Sequence, residues 1–169
     1  MKRRKGNLRN GFTFIEILLV IGIIGIFLLV SFPSIQNTMK TRQLENTARQ
    51  VLTTLQSAKF QAIKQRLNYR VRFDDTKGRW EYFIEREIEF NNWQPIENAP
   101  NNTLPSDYVV TVNLPSQQVV YTPLGLVQNY DPNLHSISLQ NPNLSTVSLT
   151  NVRIVNIFAG GSVQYVKPS

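Results

Sequence analysis

The first part of the chain is an almost unbroken apolar run. Between residues 12 and 32 the clearly polar residues are Thr13, Glu16 and Ser31. A helix of these 21 residues would be about 31 Å long, which matches the roughly 30 Å apolar core of a bilayer. No small-x-small cleavage site follows. The pattern therefore predicts a retained transmembrane helix over residues 12–33 rather than an ordinary secretory signal.

The next segment, residues 34–67, has the pattern of an amphipathic helix. Its apolar residues recur in alternating steps of three and four, which places them on one helical face. The members of this stripe are Leu44, Ala48, Val51, Leu55, Ala58 and Ala62. We expect Leu52, Ile63 and Leu67 to widen the stripe toward the core. The segment would then be the spine on which the rest of the chain packs.

Residues 68–169, called the head below, alternate with period two and predict a β-rich domain. The first two strands should form a hairpin, because residues rich in Asp and Gly separate them. We expect Phe73 opposite Trp80, Val71 opposite Tyr82 and Tyr69 opposite Ile84, so that one face is apolar. On the other face Arg72 would lie opposite Glu81 as a favourable cross-strand pair.

The remainder of the head contains short strands separated by loops rich in Asn and Pro. A long surface loop is expected over residues 91–107, and further loops over residues 128–134 and 140–145. Strands are predicted near Tyr108–Val112, Gln118–Thr122, Ser136–Leu139, Thr146–Leu149, Val152–Phe158 and Ser162–Val166.

The basic charge of the chain is concentrated before the apolar run. The sequence has 18 Lys and Arg against 11 Asp and Glu, and residues 1–11 contain five of the basic residues and no acid. Residues 12–169 therefore hold 13 basic and 11 acidic residues. Basic residues before a membrane span keep that side in the cytoplasm, so the charge predicts a cytoplasmic N-terminus and an exported head.

Candidate catalytic and metal-binding residues are few. The chain has no Cys, so no thiol nucleophile is available, and His135, the single histidine, lies in a predicted loop. Glu85, Glu87 and Glu89 alternate and could share a strand face that attracts a divalent cation. The alternative is a solvated face paired with basic neighbours, and we favour it. We expect no catalytic residue, no metal, no cofactor and no small-molecule substrate.

Glu16 is the residue that distinguishes the apolar run from a plain membrane anchor. A carboxylate in the bilayer core costs on the order of 2.5–3.5 kcal/mol, so such an acid is expected to have a function and a partner. The run contains no Lys, Arg or His, so the partner must come from elsewhere. The sequence GFTFIE at residues 11–16, followed by an apolar helix, resembles the class III signal of type IV pilins and type II secretion pseudopilins.

That resemblance implies how the N-terminus is processed. Prepilin peptidase, which is also a methyltransferase, would cut off residues 1–11 as a leader between Gly11 and Phe12 and then N-methylate Phe12. Glu16 would pair with the N-terminal amine of a neighbouring subunit during assembly. The subunit would wait as a single-pass protein of the inner membrane, in contact with its lipid, until other pilin or pseudopilin subunits join it.

The head resembles a subgroup of that family. The spine helix ending in QAIKQRL, the hairpin after it and the closing RIVNIFAGGSVQYV are similar to the H-type minor pseudopilins and the FimT-like minor pilins. The resemblance implies an α+β fold, in which a long N-terminal helix packs against a head of antiparallel sheets. It implies a structural subunit of a secretion pseudopilus or a type IV pilus, and it leaves the system, the position in the filament and the neighbouring subunits open.

Binding of DNA is the alternative function, because FimT-like proteins are implicated in DNA uptake. Basic residues are frequent between positions 59 and 79, with aromatic residues among them, as a strand-stacking surface requires. The candidate DNA-binding residues are Lys64, Arg66, Arg70, Lys77 and Arg79. Several glutamates follow directly and would weaken the local positive field, so we expect DNA to be the less favoured partner.

Overall fold

The computed structural model describes residues 12–96, 102–144 and 151–168, with the backbone alone for residues 29–34. The chain divides into two compact units, of which the first ends at Thr38 and the second begins at Met39. Helix α1, Phe14–Gln65, is continuous over 52 residues. It ends where Arg66 adopts a left-handed conformation, with φ of 56°, which terminates a helix as a C-cap residue does. The predicted end at Leu67 is two residues too late.

Nine strands follow the helix among the residues that the structure describes. They are β1 (Tyr69–Asp74), β2 (Glu81–Glu89), β3 (Asn92–Pro95), β4 (Asn102–Thr103), β5 (Val109–Asn113), β6 (Gln118–Tyr121), β7 (Ser136–Gln140), β8 (Val152–Ile157) and β9 (Val163–Val166). The first sheet has the order β3-β2-β1-β6, with β4 also paired to β2, and the second has the order β5-β7-β8-β9. All these pairs are antiparallel. The predicted α+β fold with antiparallel sheets on a helix is confirmed.

The core of the second unit lies between α1 and the inner faces of the sheets. Every member of the predicted stripe is fully buried, with exposed fractions of 0%. The stripe packs against alternate residues of the strands: Tyr69, Val71, Phe73, Tyr82, Ile84, Val119, Tyr121, Ile137, Leu139, Val155 and Ile157. The prediction was wrong for Ile63 and Leu67, which are 47% and 41% exposed. Ile63 lies against the turn at Gly125 instead of between the sheets.

The β1–β2 hairpin has the predicted faces and a different register. Phe73 lies opposite Tyr82, and Asp74 lies opposite Glu81. The predicted pairing of Phe73 with Trp80 was wrong because Asp74 still belongs to the strand, and its carboxylate accepts a hydrogen bond from the Thr76 amide at 2.9 Å. A shift of two residues leaves every side chain on its face, since the period is two. The predicted apolar face is therefore confirmed, whereas the predicted cross-strand partners were wrong.

The predicted loop over residues 91–107 contains two strands, so that prediction was also wrong. β3 pairs with the end of β2, and β4 pairs with its beginning. Asn102 in β4 is buried and its Oδ1 accepts a hydrogen bond from Gln50 Nε2 at 3.1 Å. These strands are held through backbone pairing and amide contacts, which an apolar pattern does not reveal. The strand predicted at Thr146–Leu149 lies outside the described residues.

The first unit has the opposite distribution of apolar residues. Each large apolar side chain from Phe12 to Leu28 is at least 47% exposed. Within the part of the chain that the structure describes, no helix is long and apolar enough to cross a membrane. The predicted span over residues 12–33 extends into residues 29–34, whose side chains lie outside that description.

Candidate assembly site

The start of α1 is organised by a reciprocal pair of hydrogen bonds. The Glu16 amide donates to Thr13 Oγ1 at 3.3 Å, and the Thr13 amide donates to Glu16 Oε2 at 3.5 Å. A Thr at the N-cap and a Glu three residues later form a capping box, which satisfies two of the amides that a helix leaves unpaired at its start. Glu16 is thereby placed where the helix dipole favours a negative charge.

Thr13 is a functional candidate that the sequence interpretation overlooked. The T-x-x-E spacing from Thr13 to Glu16 is visible in the sequence and is a recognised signal of a helix start. The contacts of Thr13 make it the residue that holds the Glu16 side chain at the N-terminal end of the helix.

The arrangement leaves Glu16 able to change partner. Phe12 directly precedes the Thr13 amide and is 80% exposed, whereas Gly11 lies outside the described residues. A bond of 3.5 Å between Thr13 and Glu16 is at the long end of hydrogen-bond distances and therefore weak. A positively charged amine would give the carboxylate a stronger, charge-assisted partner.

The basic residues proposed for DNA binding are divided between two places. Lys64 lies in the last turn of α1 and Arg66 directly follows the helix. Neither takes part in an ion pair among the described residues. The other three candidates belong to the β1–β2 hairpin and are all engaged with glutamates.

Arg70 is held on three sides. Its guanidinium forms an ion pair with Glu85 on the neighbouring strand and donates to Gln118 Oε1 at 3.1 Å. The group also lies over the Trp93 ring, 4.4 Å from the ring centroid. Its charge is thus largely neutralised, and the aromatic face is already covered by a cation.

Lys77 and Arg79 share one carboxylate. Glu81 lies 3.2 Å from Lys77 Nζ and 3.5 Å from Arg79 Nε. Nearby, hydrogen bonds from the backbone and side chain of Thr76, and then from Arg72, lower the pKa of Asp74 to about 2. Asp74 is therefore ionised at neutral pH, and its charge offsets part of the basic charge of the turn.

The three alternating glutamates do not form a metal site with one another. Glu85 is buried and pairs with Arg70 and Arg72. Glu87 accepts hydrogen bonds from the Asn68 side chain at 2.6 Å and from the Asn91 amide at 2.9 Å. Among the residues that the structure describes, no group of three potential ligands is positioned to hold a metal.

His135 lies in a loop directly before β7, as predicted, and is half-buried. Its Nδ1 is buried without a hydrogen-bond partner among the described residues. Its ring lies 6.4 Å from the Tyr130 ring, measured between centroids.

Comparisons with known protein families give matches to the N-terminal segment and to the head. A model of the family described as Type II transport protein GspH matches residues 47–161, and a model of the prokaryotic N-terminal methylation motif matches residues 1–32. A search of curated protein sequences gives no match.

Two solved structures resemble the chain. One is the minor pseudopilin EpsH from the type II secretion system of Vibrio cholerae, with a TM-score of 0.56 and 15% identity, covering 76% of this chain and 96% of that one. The other is the type IV minor pilin FimU of Pseudomonas aeruginosa, with a TM-score of 0.48 and 13% identity, covering 72% of this chain and 91% of that one.

Proposed function

The chain belongs to the Type II transport protein GspH family and is a minor pseudopilin or pilin subunit, and from this we propose how its N-terminus works. The chain is made as a prepilin, is cut between Gly11 and Phe12, and is methylated on the new amine of Phe12. It then enters a filament with other pilin subunits through the first half of α1. The match of residues 1–32 to the N-terminal methylation motif supports this proposal, and the capping contact with Thr13 places the Glu16 carboxylate at the start of the helix.

Cleavage at Gly11 creates the charge that Glu16 lacks. Before cleavage the Phe12 nitrogen is an ordinary amide, and after cleavage it is a cationic amine. The mass of the mature chain tests this step, since the proposal requires an N-terminus at Phe12 carrying one methyl group. A Gly11→Ala chain should retain its leader. A mature chain that starts at any other residue would contradict the proposed cleavage site.

Glu16 supplies the carboxylate that sets the register between subunits. In an apolar environment an unpaired carboxylate is penalised by several kcal/mol, so only the arrangement that pairs it with an amine is favoured. We expect Glu16→Gln to be cleaved normally and to enter filaments at least ten-fold less often. Gln has the same shape as Glu and can still cap the helix, so it isolates the charge. Undiminished incorporation of this variant would overturn the role of Glu16.

The first half of α1 holds the subunit in the inner membrane, with the leader in the cytoplasm and the head outside. The apolar run and the basic leader carry this topology. The chain has no cysteine, so single cysteines can report sidedness. In a Gly11→Ala background, an impermeant maleimide should label Asn91→Cys in intact spheroplasts and Lys5→Cys only after lysis. Equal labelling of both cysteines before lysis would contradict the topology.

We infer that the protein acts as a structural subunit and not as an enzyme. Family membership points to filament assembly. The titratable side chains of the hairpin are engaged in ion pairs and hydrogen bonds with one another.

Binding of DNA remains the alternative, and the ion pairs weigh against it. Arg70, Lys77 and Arg79 are paired with glutamates, which leaves Lys64 and Arg66 as the candidates with unopposed charge. Affinity for DNA falls steeply with salt in proportion to the phosphates contacted. The full chain in detergent micelles should therefore show weak binding with a shallow salt dependence. A steep dependence that is lost in Arg70→Ala would favour DNA as a partner.

A further inference from the structure

An exposed apolar surface surrounds the end of α1 in the second unit. It consists of Phe60, Ile63, Leu67, Ile88, Phe90 and Leu124, each more than 40% exposed. Phe90 reaches 91% and Leu124 reaches 81%. Contiguous apolar surfaces of this kind usually mark an interaction site.

The six side chains form one surface with two parts. In the first part, Phe60 and Ile63 line an open groove of about 330 Å³ together with Val163. In the second part, Leu67, Ile88 and Phe90 lie together beside Pro123. Leu124 lies between the two parts in the chain, because it follows Pro123 of the second part and precedes Gly125, which lies against the Ile63 side chain.

Both parts are held rigid by local bonds. At the tip of the β2–β3 hairpin, Ile88 is at an irregularity in the pairing, and Glu87 Oε1 accepts the Asn91 amide at 2.9 Å. These contacts brace the turn that displays Phe90. On the other side the backbones of Gly125 and Gly161 pack so closely that a Cβ on Gly161 would lie 2.0 Å from the Gly125 oxygen. A rigid surface loses little conformational entropy when it binds.

The two parts carry opposite charge. Lys59 is the charged residue that lines the groove, and exposed Lys64 follows Ile63 on the helix. Exposed Glu89 directly precedes Phe90, and it has no ion pair among the described residues. The second part is lined by Glu87, Glu89 and Arg66 and so carries a net negative charge, whereas the groove carries the positive charge of Lys59.

We propose that the occupant of this surface is a second copy of the same chain, related by a two-fold axis. In a two-fold contact residue i of one copy meets residue j of the other, and the reverse contact is also made. Phe90 of each copy would enter the Phe60–Ile63 groove of the other, with Glu89 beside Lys64. A single surface that carries both the exposed Phe90 side chain and a groove lined by Phe60 and Ile63 satisfies this reciprocity.

Such a pair has a consequence for assembly, which rests on the proposed function as a filament subunit. A two-fold contact closes on itself and cannot be continued by helical symmetry. The pair therefore belongs to subunits waiting outside the filament, and it must separate before a subunit is incorporated.

Cysteine cross-linking of the full chain in detergent micelles tests the pair. Gln56→Cys lines the groove, Asn91→Cys neighbours Phe90, and neither substitution removes an apolar residue of the surface. A mixture of these two variants should yield at least ten-fold more disulfide-linked dimer than a mixture of Asn91→Cys with Thr111→Cys, an exposed position on β5. The substitution Phe90→Ser, added to the Asn91→Cys chain, should remove this excess.

A charge exchange makes the test specific to the proposed geometry. Glu89→Lys should lower the yield of linked dimer several-fold, and Glu89→Lys combined with Lys64→Glu should restore it. Yields equal to those of the Thr111→Cys mixture would overturn the proposal. Since the test does not depend on leader cleavage or on Glu16, its failure would leave the proposed N-terminal function intact, and the reverse also holds.

Discussion

The two halves of α1 differ in how far their apolar residues are exposed. Every large apolar residue from Phe12 to Leu28 is at least 47% exposed, whereas the stripe from Leu44 to Ala62 is fully buried. The apolar stripe of the second half is covered by the sheets of the same chain, which pack on it. The described residues of the first unit provide no such cover, and under the proposed function a membrane or other subunits supply it. The proposal thus gives one helix a role in stability at one end and in assembly at the other.

This comparison predicts that substitutions in the two units separate cleanly in their effects. Trp80 and Trp93, the two tryptophans, both lie in the second unit, so their fluorescence during urea unfolding reports that unit alone. Leader cleavage and filament incorporation report the first unit.

The largest effect on unfolding is expected from the ion pair between Arg153, which is buried, and Glu45, which is half-buried. The Arg153 side chain is fully buried, and its Nη2 lies 3.0 Å from Glu45 Oε1. Glu45→Ala removes the carboxylate from a buried guanidinium and should destabilise the second unit by about 3 kcal/mol. The double variant Glu45→Ala with Arg153→Leu should be more stable than Glu45→Ala alone. If the double variant were less stable than Glu45→Ala, the loss of the ion pair would not explain the destabilisation in Glu45→Ala.

A core truncation gives the most direct contrast between the two halves of α1. Leu55→Ala removes a fully buried side chain and should lower the free energy of unfolding by about 2–4 kcal/mol. Leu19, which is 60% exposed, is the matched control. Leu19→Ala should leave the urea midpoint unchanged, and a large shift would break the distinction between the two units.

Two adjacent glycines allow a test of the close approach between turns. Gly161 has φ of 70°, and a Cβ there would lie 2.0 Å from the Gly125 oxygen, whereas a Cβ on Gly160 would meet nothing within 4 Å. Gly161→Ala should therefore cost about 2 kcal/mol or more. Gly160→Ala should be nearly neutral in the same unfolding measurement. Equal effects would contradict the packing of these two turns.

The pKa of Asp74 predicts how stability depends on pH. Its folded-state pKa of about 2 lies below the unfolded value of about 3.9. The stabilising contribution of the carboxylate is therefore complete above the unfolded pKa and is lost as the pH falls toward 2. Asp74→Asn should reduce the slope of stability against pH between pH 4 and pH 2. An unchanged slope would show that the Thr76 and Arg72 hydrogen bonds do not perturb this group.

The smallest effect is expected at Thr13. Thr13→Ala removes the cap of α1, which is worth about 1 kcal/mol locally. The amide of Glu16 should exchange its hydrogen faster, and the urea midpoint of the second unit should not move. Thr13→Ser keeps the hydroxyl and is the control, since it should exchange as the original chain does. Faster exchange in both variants would show that the hydroxyl is not the cap.

Particular residues show why sequence predicted some features and missed others. The helix stripe was predictable because its residues repeat with the period of a helix, and the N-terminal motif because it is contiguous. The hairpin register was not predictable, because pairing Phe73 with Tyr82 or with Trp80 places the same side chains on each face of the hairpin. β3 and β4 are held by backbone pairing, which leaves no apolar alternation. Arg153 pairs with a residue 108 positions away, and no local pattern encodes that contact.

The central claim is that Glu16 serves assembly and contributes nothing to the stability of the head. The most direct measurement compares the original chain with Glu16→Gln for three quantities in the same cells: the mature mass, the fraction found in filaments and the urea midpoint. We predict the same mass, beginning at methylated Phe12, the same midpoint and at least ten-fold less chain in filaments. A Glu16→Gln chain that is incorporated normally would contradict the account.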